Sequence, residues 1–347
     1  MAQTEQRSYE RIVFIDILKS IACLCVLVGH VINGMLKDGM DVSAVLRTVN
    51  SYVYLFHVPC FFFASGYLYD NRRPKTWDGY FRFIFKKLIA LGLPYFVCSI
   101  AYVLFSSVMS SDMHTAYSFD AIMGLWVSPV AQYWYLYALF EIFVIVPLVE
   151  LICGRIDRRW ILLVSVVCAL LVRADTVCID YIMMYTCFFY TGAYCNQTDV
   201  VKKDFFAQKS AVHLLFAGCA LSIAVYAAYQ MIVAYTDFTV AVNYALRGIT
   251  RMLLVITVVW ISYAVSRMQN GASRFLIWLS KYSLYIYLFH TWFTGTLRVL
   301  LRKAGAANSW VQTVSGIAVG LAGSLAAAVI IRKVSFFRFW FEPFSKS

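Results

Sequence analysis

A chain of 347 residues with 62% hydrophobic side chains, 14% charged ones and a mean hydropathy of +0.71 is too apolar for a water-soluble globule, in which about a quarter of residues carry charge. The composition predicts an all-α integral membrane protein, because lipid offers no partner to an open sheet edge. The net charge of +12 does not require nucleic acid as a partner, since loops on one side of a membrane collect lysine and arginine.

The first apolar run, IVFIDILKSIACLCVLVGHVINGML, exceeds the roughly 20 residues that cross a bilayer. Arg7 and Arg11 precede it as they would in a leader peptide, but no small-residue cleavage site follows, so it is read as the first membrane helix. Asp16, Lys19 and His30 interrupt it, and ionisable groups at such depth need a partner or a task. Asp16 and Lys19 are an i, i+3 pair able to neutralise each other. Lys19 and His30 are separated by about three turns plus 20°, which places them on one stripe about 16 Å apart. The run therefore carries a polar track, and the other spans are expected to pack around it.

Ten spans are predicted in all, at 12–36, 51–69, 84–108, 132–152, 160–174, 177–195, 211–235, 250–267, 275–296 and 310–331. They leave room for one domain, 1–347, and no separate soluble one. With both termini in the cytoplasm, twenty lysines and arginines fall inside and eight outside, which sets the orientation. The ten cysteines lie mostly in apolar runs with no CxxC or Cys/His ligand spacing; no metal site is expected, and small buried hydrophobes suffice as an explanation.

His57 in the second span and His290 in the ninth reach a membrane depth similar to that of His30. Each has an ordinary reading as a core histidine bonded to a neighbouring helix, and a functional one as an intramembrane ionisable group. Imidazole is suited to general-base work near neutral pH, or to carrying an acyl group. Ser65 and Glu141 are further polar groups within spans. The stretch NRRPKTWDGYFRFIFKK gathers Arg72, Arg73, Lys75, Arg82, Lys86 and Lys87; it serves either topology and lipid headgroups or an anionic phosphorylated donor. Arg247 and Arg251 stand at the expected outer start of the eighth span, where anchoring competes with holding an anionic acceptor. His114 and His213 have no motif around them.

DILKSIACLCVLVGH resembles the opening of membrane-bound acyltransferase family 3, with Asp16, Lys19 and His30 in the acidic, basic and histidine positions. FHVPCFFFASGYLY, YWYLYALFEIF and LSKYSLYIYLFH resemble three further segments of that family, in order along the chain. Lys19 stands where arginine is usual and lacks its bidentate fork; an Arg-x-x-Arg spacing in the inner loop is replaced by Arg82, Lys86 and Lys87. The esterase-like domain fused in some members is not found in this sequence. The resemblance implies O-acyl transfer from cytoplasmic acyl-CoA, usually acetyl-CoA, to a hydroxyl of an extracytoplasmic or lipid-linked carbohydrate or cell-envelope glycan. In that scheme His30, Lys19 and Asp16 are catalytic. His57, Ser65, Glu141 and His290 line the cavity, and Arg72, Arg73, Arg82, Lys86 and Lys87 bind the CoA phosphates. Expected surroundings are a bacterial plasma membrane and its lipids, with room for a homodimer. The competing class is a transporter or flippase using the same track for a small polar solute or lipid-linked sugar.

Overall fold

The computed structural model describes residues 12–108, 117–154, 157–172, 177–198, 210–306 and 308–344. Among them every regular element is a helix. Arg7, Arg11, His114, Arg155, Arg173, Lys202, Lys203, Lys209 and Lys346, used above for charge or as candidates, lie outside the described residues.

The chain begins with α1 (Val13–Lys37) and α2 (Ala44–Asp70). Next come α3 (Trp77–Lys87), a π-helical turn at Leu88–Gly92, and α4 (Leu93–Val108). Short α5 (Asp120–Gly124) leads through a 3-10 turn to α6 (Trp134–Ile152). Then follow α7 (Arg158–Leu171), α8 (Val177–Thr198), α9 (Ala211–Tyr235) and α10 (Val240–Met268). The last are α11 (Gly271–Leu279), α12 (Ser283–Lys303), α13 (Ser309–Lys333) and α14 (Ser335–Phe341). Among the described residues helix covers at least part of each of the ten predicted stretches. Among the described residues six segments are long and apolar enough to cross a membrane: 13–37, 77–107, 120–152, 211–235, 240–268 and 309–333.

α1 is the hub. Phe14, Ile15, Ile17, Leu18, Ser20 and Cys23 are all buried, and on a 3.6-residue period these six are spread around the whole circumference, as in a core helix. Around it pack α2, α10, α11, α12 and α13. The tightest neighbouring pair is α2 with α8, and glycine permits it: a Cβ on Gly66 would fall 1.8 Å from the Phe189 carbonyl oxygen, and one on Gly192 2.1 Å from that of Phe63. Backbones that close gain dispersion contacts that lipid cannot replace. Phe62 and Tyr185 stack across the same seam, 4.6 Å between centroids.

Charges bind the Asp70 end of the bundle. Arg158 donates to Asp70 at 2.8 Å, to Gln197 at 2.7 Å and to Glu150 at 2.8 Å, while Tyr69 donates to Glu150 at 2.7 Å. One guanidinium thus ties α2, α6, α7 and α8, and fully satisfied networks of this kind rigidify what they join.

Two boundaries differ from the sequence expectation for the same reason. Capping side chains start these helices well before the hydropathy rises. Thr76 accepts from the Gly79 amide and begins α3, so Arg82, Lys86 and Lys87 ride a helix and not a loop. Thr239 begins α10 ten residues before the predicted span. Arg247 and Arg251 therefore lie inside the helix, and Arg251 is about three turns from its start.

Candidate active site

Asp16 and Lys19 form the expected ion pair, 2.9 Å apart, with side chains 14% and 27% exposed. His30 lies about three turns along the same helix. It forms part of the wall of a cavity of about 330 Å³, to which α1 also contributes Asn33, Gly34 and Lys37. Opposite stand Tyr102 and Phe105 of α4, Gln132 and Trp134, and the α12 residues Thr291, Trp292 and Arg298. Asp16 and Lys19 do not line this cavity.

The three histidines do converge. His290 places its ring edge-on to His30, with centroids 5.0 Å apart. Tyr54 bridges to the third, 6.2 Å from His30 and 4.9 Å from His57. In each of the two buried rings Nδ1 faces a carbonyl one turn earlier: Val53 at 2.5 Å from His57, Ile286 at 2.7 Å from His290. A carbonyl only accepts, so Nδ1 carries the proton and Nε2 the lone pair. His290 Nε2 is buried with no hydrogen-bond partner, next to the imidazole of His30. The arrangement is one partly exposed imidazole on a cavity wall, backed by a neutral, oriented one. It can take a proton from a bound hydroxyl and stabilise the cation that results.

Hydrogen bonds stiffen the opposite wall. Gln132 Nε2 donates to Thr291 Oγ1 at 2.6 Å, and Trp292 Nε1 donates to the Tyr133 hydroxyl at 2.9 Å. Tyr287 donates to the Gln132 carbonyl. At the mouth, Arg298 is held by buried Asp38 at 2.9 Å, with Arg302 3.5 Å away on the other carboxylate oxygen. The guanidinium lies over Gly34, where a Cβ would come within 2.0 Å of it. Neither Arg298 nor Gln132 is distinguished in the sequence: Asp38 and Arg298 are 260 residues apart, and no local pattern announces a bond of that span.

The remaining candidates are dispersed. The Ser65 hydroxyl bonds to Tyr135. Glu141 bonds to Tyr137 one turn earlier on α6 and keeps its other carboxylate oxygen buried without a partner. Neither reaches the His30 cavity. Among the basic residues, Arg82 pairs with Asp78 on the helix surface, and Arg73 lies 3.9 Å from Glu150. Lys87 folds over the Phe143 ring, 3.8 Å from its centroid, a cation–π contact. Arg72 and Lys86 are exposed. Among the described residues no His/Cys/Asp/Glu group is placed to hold a metal, and the nine described cysteines form no disulfide.

No solved structure matches the chain. Over 178 residues it is 26% identical to the nodulation protein NolL of Mesorhizobium japonicum, a stretch covering 50% of this chain and 45% of that protein. The chain thus spans less than half the length of this curated relative. A family model described as an acyltransferase domain matches residues 12–331, from the start of α1 to the last turn of α13. A match over that range, with the His30 cavity inside it, makes the chain a member of acyltransferase family 3.

Proposed function

We propose that the protein is a membrane O-acyltransferase that moves an acyl group, acetyl in the simplest case, from cytoplasmic acyl-CoA to a hydroxyl of an extracytoplasmic or lipid-linked glycan. The observation that carries this reading is His30 on the wall of a cavity of about 330 Å³ with oriented His290 against it. Family membership supplies the reaction class.

In this reading the acceptor hydroxyl gives its proton to the His30 imidazole as its oxygen attacks the thioester carbonyl. The carbon–sulfur bond then breaks, and the CoA sulfur leaves as thiolate and recovers the proton. Ester and free CoA thiol are the products. Donated hydrogen bonds favour the oxyanion that forms on the carbonyl, and the Gln132, Lys37 and Arg298 side chains line the cavity to provide them. The Asp16–Lys19 pair, about three turns away, faces the pantetheine arm, and the exposed Arg72 and Lys86 meet the CoA phosphates. The positive-inside bias sets the direction, with donor on the Arg72 side and acceptor on the Lys37 side.

Calorimetric titration of the purified protein with acetyl-CoA tests the donor. Saturable binding is expected, weakened several-fold in Arg72→Gln/Lys86→Gln. A folded protein with no affinity for acetyl-CoA or CoA would leave solute transport as the better account.

A further inference from the structure

A second cavity, of about 380 Å³, lies between α2, α9 and α10 and reaches α1 at Asn33. Arg247 lines it together with Asn50, Tyr54, Tyr229 and Gln230. Arg251 lies one turn deeper on α10, largely buried among Tyr185, Tyr229 and Tyr244. Among the described residues no carboxylate forms an ion pair with either guanidinium. The hydrogen bond Arg251 makes is to the Met184 thioether, 3.0 Å away, and thioether sulfur is a weak acceptor. Two cations one turn apart, one of them largely buried among tyrosines, form an arrangement that a bound anion would stabilise; the carboxylate near them is Asp180, which acts on the same Tyr185. Anchoring at a helix end does not account for Arg251, because α10 begins at Val240.

The cavity is also short of a donor. Asn50 Oδ1 is buried on its wall with no hydrogen-bond partner, which suits a ligand hydroxyl. Asn33 lines both this cavity and that of His30, and Tyr54, on the wall here, has its ring 6.2 Å from His30. Asn33 and Tyr54, whose side chains hydrogen-bond to each other, are the residues through which this cavity adjoins His30.

We infer that this cavity seats the acceptor, and that the acceptor is an anionic glycan unit whose carboxylate or phosphate lies on Arg247 and Arg251. The inference rests on the acyltransfer reading above and adds the class of acceptor. Guanidinium groups grip either oxyanion through paired N–H donors, while Asn50 takes a sugar hydroxyl and a second hydroxyl reaches His30.

The test is calorimetry on the protein in phosphatidylcholine nanodiscs, with glucuronate, glucose 1-phosphate and neutral glucose as probes. At least one charged sugar should bind ten-fold or more tightly than glucose. Preference for glucuronate marks a carboxylate acceptor, and preference for glucose 1-phosphate a phosphorylated one. Arg247→Gln and Arg251→Gln should each lose that preference, and Arg338→Gln on α14 should keep it. If Arg251→Gln does not fold, Arg247→Gln and Arg251→Lys decide, the lysine retaining charge without the fork. Equal binding of glucose and the charged sugars, or an unchanged preference in Arg247→Gln, overturns the inference. So does loss of all sugar binding together with Arg247-dependent binding of phosphatidylglycerol, which would assign the site to a lipid headgroup. Thiol release from acetyl-CoA, followed in the same samples, separates the two levels. Full release without anion preference removes only the acceptor assignment, whereas anion binding without thiol release removes the acyltransfer reading and leaves an anion-binding cavity that is no acceptor seat.

Discussion

Asp38 shows how much at this site rests on single residues. Its side chain is 3% exposed and lies between two arginines, Arg298 and Arg302. Breaking a buried pair by removing one partner costs about 3–5 kcal/mol, because the other charge is left uncompensated. Asp38→Asn should therefore lower the unfolding temperature sharply and disorder the cavity mouth, readable as a lower melting midpoint and a raised acceptor KM. An unchanged melt would mean Arg298 has another counter-charge. The contrast with α1 is instructive. Asp16, Lys19 and His30 were legible because helical spacing places them on one stripe within one run. His290 and His57 were legible by depth alone. Asp38–Arg298 and Gln132–Thr291 were not, since both contacts depend on how distant helices are brought together. Ser65 and Glu141 were singled out for being polar within a span, and the structure satisfies Ser65 through Tyr135, away from the cavity.

Among the elements, the seam between α2 and α8 depends on Gly66 and Gly192. A methyl group at either position meets a facing carbonyl, and forcing extra carbon into a packed seam costs about 1–3 kcal/mol. Gly66→Ala and Gly192→Ala should each melt earlier than wild type. Equal melting temperatures would show the helices able to part. Helix existence was readable from apolar run length, whereas helix starts were not, because hydropathy is blind to the cap. Thr239 and Thr76 extend α10 and α3 beyond their apolar cores. Arg251 turns from a span-end residue into one about three turns inside its helix, and the basic loop becomes a helix that leaves only some of its charges exposed.

Over the whole molecule, α1 is surrounded by five helices, and near its His30 end two cavities share Asn33. The basic residues Arg72, Arg73 and Arg158 gather around the Asp70 end of α2. In the proposed reaction the two ends do different work: the donor's charged part stays at one, and the acceptor enters at the other. The division requires a base where they meet. Removing a positioned general base slows proton transfer by about 10²–10⁴-fold. The measurement that bears most directly on this account is thiol release from acetyl-CoA by reconstituted protein supplied with glycan acceptor, comparing wild type with His30→Ala at equal folded amount. The account predicts a rate at least a hundred-fold lower for His30→Ala, with acetyl-CoA affinity retained. Turnover in that variant within a few-fold of wild type would contradict it.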